Sequence, residues 1–373
     1  MINEKPIYIT QPALPPLEEF IESLRQIWDN KILTNGGPFH QQLETELATF
    51  LGVEYVSLFA NGTLALMTAL QTLRITGEVI TTPYTFVATT NAIEWNGIKP
   101  VFVDVDPKSG NIDPQKIEAA ITNETTAIMP VHVYGNPCRT SEIKNIADTY
   151  GLKIIYDAAQ AFSVKSDGKS ILNEGNLSIL SFHATKIFNT FEGGAIISHD
   201  EKTKERIDYL KNFGFAGENT IIAPGINGKM NELQAACGLL QLKYVHDNIQ
   251  ARKMIAERYN NAFENLSCIS ALEIEPMVQY NYSYYPIFIE PDDGGELRDK
   301  LYYTLKKRGI YARRYFFPLV TKFPMYQNNN SARDRNLQHA KNISEKVICL
   351  PIYPGLSNAD QDFIIEILQG SLK

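Results

Sequence analysis

At 373 residues the chain exceeds what one hydrophobic core usually organises, so a large domain with a smaller companion is expected. A content of 44% hydrophobic and 21% charged residues, with no low-complexity tract, excludes extended disorder. The formal net charge of -7 at pH 7 excludes a field that would gather nucleic acid or an anionic membrane surface.

Two amphipathic helices open the chain. Leu17, Phe20, Ile21, Leu24, Ile27 and Trp28 recur at helical spacing after Pro15-Pro16, and Phe39, Leu43, Leu47 and Phe50 do so before Gly52. Short apolar strands then alternate with helical stretches: 55–59 and 63–73, 79–80 and 87–95, 101–105 and 114–121, 127–131 and 143–150, then 153–156. Such alternation predicts a mostly parallel sheet with helices on both faces and functional groups at the carboxyl ends of its strands. Strands at 178–182 and 195–198 follow, then helices over 202–213 and 231–265, the second long enough to join two lobes. Beyond it the order changes to a strand at 284–289, a helix at 297–308, a strand at 347–350 and a terminal helix. The expected division is therefore a large α/β domain over 1–250 and a smaller α+β domain over 251–373. The polar run 327–335 reads as an exposed loop.

Cys138, Cys237, Cys268 and Cys349 lie far apart with no CxxC pair, which favours neither a metal site nor a disulfide framework and fits a reducing cytoplasm. The segment Met1-Ile2-Asn3-Glu4-Lys5-Pro6 lacks a signal pattern, and no stretch approaches a membrane span.

The segment richest in chemistry is Ser181-Phe182-His183-Ala184-Thr185-Lys186, followed by Glu192-Gly193-Gly194. A lysine in a turn just after a strand can project its amine into a site at the sheet edge, as Schiff-base chemistry requires. These residues resemble the DegT family of sugar aminotransferases, whose lysine lies in a Ser-Phe-His-x-x-Lys run ahead of a Glu-Gly-Gly turn. The resemblance covers nearly the whole chain. It implies the aspartate-aminotransferase-like α/β fold (fold type I), pyridoxal 5'-phosphate as cofactor, and a homodimer with shared sites.

Residue by residue, the resemblance implies that Lys186 tethers the cofactor and carries the proton. Gly62 and Thr63, in Asn61-Gly62-Thr63 at a strand-to-helix turn, and Ser181 would bind its phosphate; by local chemistry alone that turn is more often an ordinary helix cap. Asp157, after the strand Lys153-Ile154-Ile155-Tyr156, would pair with the pyridine nitrogen, where a bare strand-end carboxylate could also cap a helix. Gln160 would reach the ring hydroxyl, and Phe86 would lie on the ring face. Asn227 matches the asparagine that relatives send to the partner's phosphate, and Lys229 a basic position that could meet a substrate carboxylate or phosphate. Arg313 and Tyr315, within Arg313-Arg314-Tyr315-Phe316-Phe317-Pro318-Leu319, are candidates for the substrate's nucleotide end; Val320 stands where relatives often have histidine. His183 is expected to orient its neighbours.

Three stretches, 11–20, 186–194 and 313–319, resemble the members of that family that form dTDP-4-amino-4,6-dideoxyglucose (viosamine). The expectation is transfer of nitrogen from L-glutamate to C-4 of dTDP-4-keto-6-deoxy-D-glucose, in the cytoplasm, for O-antigen or another surface polysaccharide. Amination at C-3 is the alternative, followed by a non-catalytic protein of the same fold. A sugar dehydratase is disfavoured by the presence of Lys186.

Overall fold

The computed structural model describes residues 5–290 and 294–372. Residues 1–4, part of the N-terminal stretch read above, lie outside the described residues. Seven strands form the central sheet in the order Tyr55–Phe59, Gly194–Ser198, Leu177–Ser181, Lys153–Asp157, Thr125–Met129, Glu78–Thr81, Lys99–Phe102. Every neighbouring pair is parallel except the two made by Gly194–Ser198. That strand runs backwards because residues 182–193, which lead into it, form turns, whereas a parallel return needs a crossover that is usually a helix.

Adjacent strand residues bury themselves on opposite faces, as a sheet covered on both sides demands. Val79, Met129, Ile155, Ile179 and Ile196 join a core with Leu66, Ala69 and Ile207, from the helices Gly62–Thr72 and Glu201–Leu210. Their neighbours Ile80, Ile128 and Ile154 pack with Ile143 and Ala147 of the helix Thr140–Tyr150. Leu180, Ala195 and Ile197 meet Leu43 and Leu47 of Pro38–Leu51 and Ala235 of the long helix Glu232–Phe263. Each fully buried isoleucine contributes roughly 1.5–3 kcal/mol.

The long helix begins with a capping box: the Asn231 side chain accepts from Gln234 N–H at 2.9 Å, and the Gln234 side chain accepts from Asn231 N–H at 3.2 Å. Glu232, 1% exposed, accepts the Phe39 and His40 N–H groups at 2.9 Å each and so caps the neighbouring helix Pro38–Leu51. Farther along, Ile255, Tyr259 and Phe263 of the same helix join a separate core built on the antiparallel sheet Ile269–Ala271, Tyr285–Ile289, Val347–Leu350 and on the helices Glu296–Lys307 and Asn358–Leu372.

Two features depart from the sequence reading. Ile7–Tyr8 pairs in parallel with Ile310–Tyr311, and Ile7 is buried in the C-terminal core. The run 327–335 is exposed for the most part but is tied to the edge strand: Asn329 Nδ2 donates to Pro100 O at 2.6 Å, Ser331 Oγ accepts from Phe102 N–H at 2.9 Å, and Ala332 is buried. The polar side chains there serve the unpaired backbone of an edge strand. All four cysteines are free, and no described helix is long and apolar enough to cross a membrane.

Candidate active site

The carboxyl ends of the parallel strands open into one cavity of about 290 Å³. Gly62, Thr63, Phe86, Asp157, Gln160, Ser181, Lys186 and Tyr315 all line it. Asn227, Lys229 and Arg313 are not brought to this cavity. Asn227 is exposed in a segment that bridges to Asn212, and Lys229 Nζ donates to Asn212 Oδ1 at 2.7 Å and sits 5.0 Å from the Phe213 ring. The Arg313 side chain is exposed, while its backbone pairs with Cys349.

At one end of the cavity begins the helix Gly62–Thr72. Asn61 caps it by accepting Leu64 N–H at 2.9 Å, which leaves the Gly62 and Thr63 N–H groups without a partner among the described residues. These donors, at the positive end of the helix dipole, form an anion seat. Packing behind it is close: a Cβ on Gly194 would lie 2.7 Å from Gly62 N, and one on Gly62 would meet Ser181 Cβ at 3.1 Å. The glycines therefore let the turn lie directly on the strands.

Asp157, 5% exposed, ends its strand deeper in the cavity. Burial raises its pKa above the ordinary carboxylate value, while hydrogen bonds from Thr89 Oγ1 at 2.7 Å and Ala159 N–H at 3.1 Å, and the charge of Lys186, work against the rise. Among the described residues the carboxylate forms no ion pair, so a cationic N–H presented from the cavity would relieve it. The Gln160 side-chain oxygen accepts Tyr134 N–H at 2.6 Å, leaving its amide NH₂ as the group to donate. Phe86 is 61% exposed, an uncovered aromatic face at the start of the helix Val87–Trp95.

Lys186 stands on the turn after Leu177–Ser181, its N–H bonded to His183 O at 2.9 Å, and its Nζ donates to Tyr284 OH at 3.1 Å. His183 accepts Thr185 N–H on Nδ1 at 3.2 Å, so its proton resides on Nε2, 3.6 Å from Glu192 Oε1. The remaining wall comes from far along the chain. Tyr315 is fixed through its carbonyl, which accepts from Tyr84 OH at 3.0 Å and from Tyr134 OH, and burial pushes its own phenol up to about 12.

Sequence reasoning missed Thr89, Tyr284 and Phe316. Thr89 lay three residues beyond Phe86, one helical turn along, which was the available signal. Tyr284 sits in the tyrosine-rich run Tyr280-Asn281-Tyr282-Ser283-Tyr284-Tyr285, where nothing distinguishes it from core aromatics.

An anion seat, a buried carboxylate without an ion pair among the described residues, and an amine, all lining one cavity, suit an aromatic ring that carries a phosphate and a basic nitrogen. Comparisons with known proteins agree. Residues 17–369 match the DegT/DnrJ/EryC1/StrS aminotransferase family. The chain is 52% identical over 373 residues, the whole of both proteins, to a dTDP-4-amino-4,6-dideoxy-D-glucose transaminase of Escherichia coli. Its fold superimposes on DesI, solved in the presence of its TDP-sugar product, with a TM-score of 0.94 at 31% identity, covering 99% of this chain and 93% of that one. NtdA of Bacillus subtilis, solved with bound cofactor PMP, gives 0.87 at 30% identity over 95% and 82% of the two chains. The chain belongs to the DegT/DnrJ/EryC1/StrS aminotransferase family and is a pyridoxal-phosphate-dependent transaminase.

Proposed function

We propose that the protein transfers the amino group of L-glutamate to C-4 of dTDP-4-keto-6-deoxy-D-glucose, giving dTDP-4-amino-4,6-dideoxy-D-glucose and 2-oxoglutarate. The observation that carries this reading is the full-length 52% identity to a transaminase of that name, joined to a cavity that holds Lys186 and Asp157 together. The same proposal puts the enzyme in the cytoplasm, supplying O-antigen or another surface polysaccharide.

When bound, pyridoxal phosphate supplies an electron-withdrawing ring that carries nitrogen between the two substrates and stabilises the carbanion left by proton loss. The Gly62 and Thr63 N–H groups and the Ser181 hydroxyl hold the phosphate. Asp157 keeps a proton on the ring nitrogen, Gln160 donates to the ring hydroxyl, and Phe86 covers one face. Lys186 removes the α-proton of glutamate and, in the second half-reaction, delivers a proton to C-4 of the sugar. Arg313 and Tyr315 are proposed for the nucleotide end.

A homodimer belongs to the proposal. Phe213, Ile221, Ile222 and Ile226 are 48%, 62%, 53% and 36% exposed around Asn227, an apolar surface that a second copy would cover, bringing Asn227 and Lys229 to the partner's cavity. The function is tested by 2-oxoglutarate release from holoenzyme and glutamate. Without sugar, one 2-oxoglutarate per site is expected; adding the 4-keto-sugar should convert this into continuous turnover. Continuous release without sugar, or no release with it, would refute the transfer.

A further inference from the structure

We infer that Tyr284 is a positioning residue: its hydroxyl holds the Lys186 amine at the station from which that amine moves protons. The inference rests on the reading of Lys186 given above and concerns a residue 98 positions away in the chain. Lys186 Nζ donates to Tyr284 OH at 3.1 Å and lies 5.6 Å from the centre of the same ring. Among the described residues this phenol is the amine's hydrogen-bond partner, and Lys186 forms no ion pair. Asp157, the nearby carboxylate, is already bonded to Thr89 and Ala159.

A lysine amine on a four-carbon stem has many rotamers, most of them useless for proton transfer between fixed atoms. A hydroxyl on a rigid support removes that freedom. Tyr284 is so supported: it immediately precedes the strand Tyr285–Ile289, meets the Tyr315 ring edge-on at 5.6 Å and 88°, and packs against Tyr134 at 5.9 Å. Tyr134 is fixed in turn by its N–H to Gln160 Oε1, by Tyr280 OH to its carbonyl at 2.8 Å, and by its own hydroxyl to the Tyr315 carbonyl. The C-terminal part of the chain thus sets the position of a lysine carried by the central sheet.

Tyr284→Phe separates this role from packing, because it keeps the ring and removes only the hydroxyl. The expected kcat is lower by about 10-fold, with KM for glutamate and for the nucleotide sugar within about twofold. The full chain freed of cofactor gives a second readout. Modification of Lys186 by trinitrobenzenesulfonate, located by peptide mass spectrometry, should proceed about threefold faster or more in the variant, because the amine has lost the hydrogen bond that holds it. Unchanged kcat would overturn the positioning role, and an unchanged modification rate would overturn the contact itself. The modification rate is read without turnover, so it stands apart from the test of Lys186 as the working amine.

Discussion

Lys186→Ala is expected to lower turnover by at least about 1,000-fold while leaving the protein folded. General acid–base catalysis by a positioned group is commonly worth on the order of 10²–10⁴ in rate, and this substitution also deletes the covalent route through the amine. Stability should change little, because Lys186 is only partly buried and among the described residues its side chain has one hydrogen bond, to Tyr284. Single-turnover kinetics with glutamate, together with a thermal melt, check both halves. Mixing extends the test to the shared site. A Lys186→Ala chain and an Asn227→Ala chain, each impaired alone, should together form hybrid dimers in which one of the two sites carries neither change. Random pairing then restores about one quarter of wild-type sites. Near-normal turnover of Lys186→Ala would remove it from the mechanism, and no recovery on mixing would remove Asn227 from the partner's site.

Asp157→Asn is expected to divide activity from stability. With a neutral partner the ring nitrogen is no longer held protonated, and turnover should fall on the order of 10²–10³-fold, as when a preorganised electrostatic group is removed. The effect on the cofactor-free protein has the opposite sign. Burial raises the Asp157 pKa, and a carboxyl raised on folding favours the folded state below its unfolded pKa, then loses that contribution as pH rises through the folded value. At neutral pH the ionised side chain is a net destabilising feature of the empty site, which asparagine removes while still accepting one of the two hydrogen bonds. The cofactor-free variant should therefore melt at the same temperature as the parent or higher at pH 7.5, with the advantage shrinking in acid. Unchanged turnover would separate Asp157 from the ring nitrogen.

The contrast between these residues and Tyr284 explains what could be read in the chain. Ile154-Ile155-Tyr156 betrays a strand because a parallel strand buried on both faces must be apolar throughout, and Asp157 stands out as the charge that ends it. Asn61-Gly62-Thr63 and the turn carrying Lys186 are local, so one segment contains both the geometry and the chemistry. Tyr284 reaches the site through tertiary packing, and its neighbours Tyr280, Tyr282 and Tyr285 are equally aromatic. The reversed strand Gly194–Ser198 carries the same apolar pattern as its parallel neighbours, since direction depends on the connection and not on burial. Ile7–Tyr8 is too short for any periodicity. Polar composition in 327–335 hid backbone contacts that only the edge strand makes evident.

The central claim is nitrogen transfer to one carbon of a nucleotide-linked keto-sugar. Incubating the holoenzyme with ¹⁵N-labelled L-glutamate and dTDP-4-keto-6-deoxy-D-glucose, then locating the label by NMR, tests it most directly. The account predicts ¹⁵N bonded to C-4 of a 4-amino-4,6-dideoxyglucose. A sugar without label, or product labelled only at C-3 when the 3-keto isomer is supplied, would contradict it.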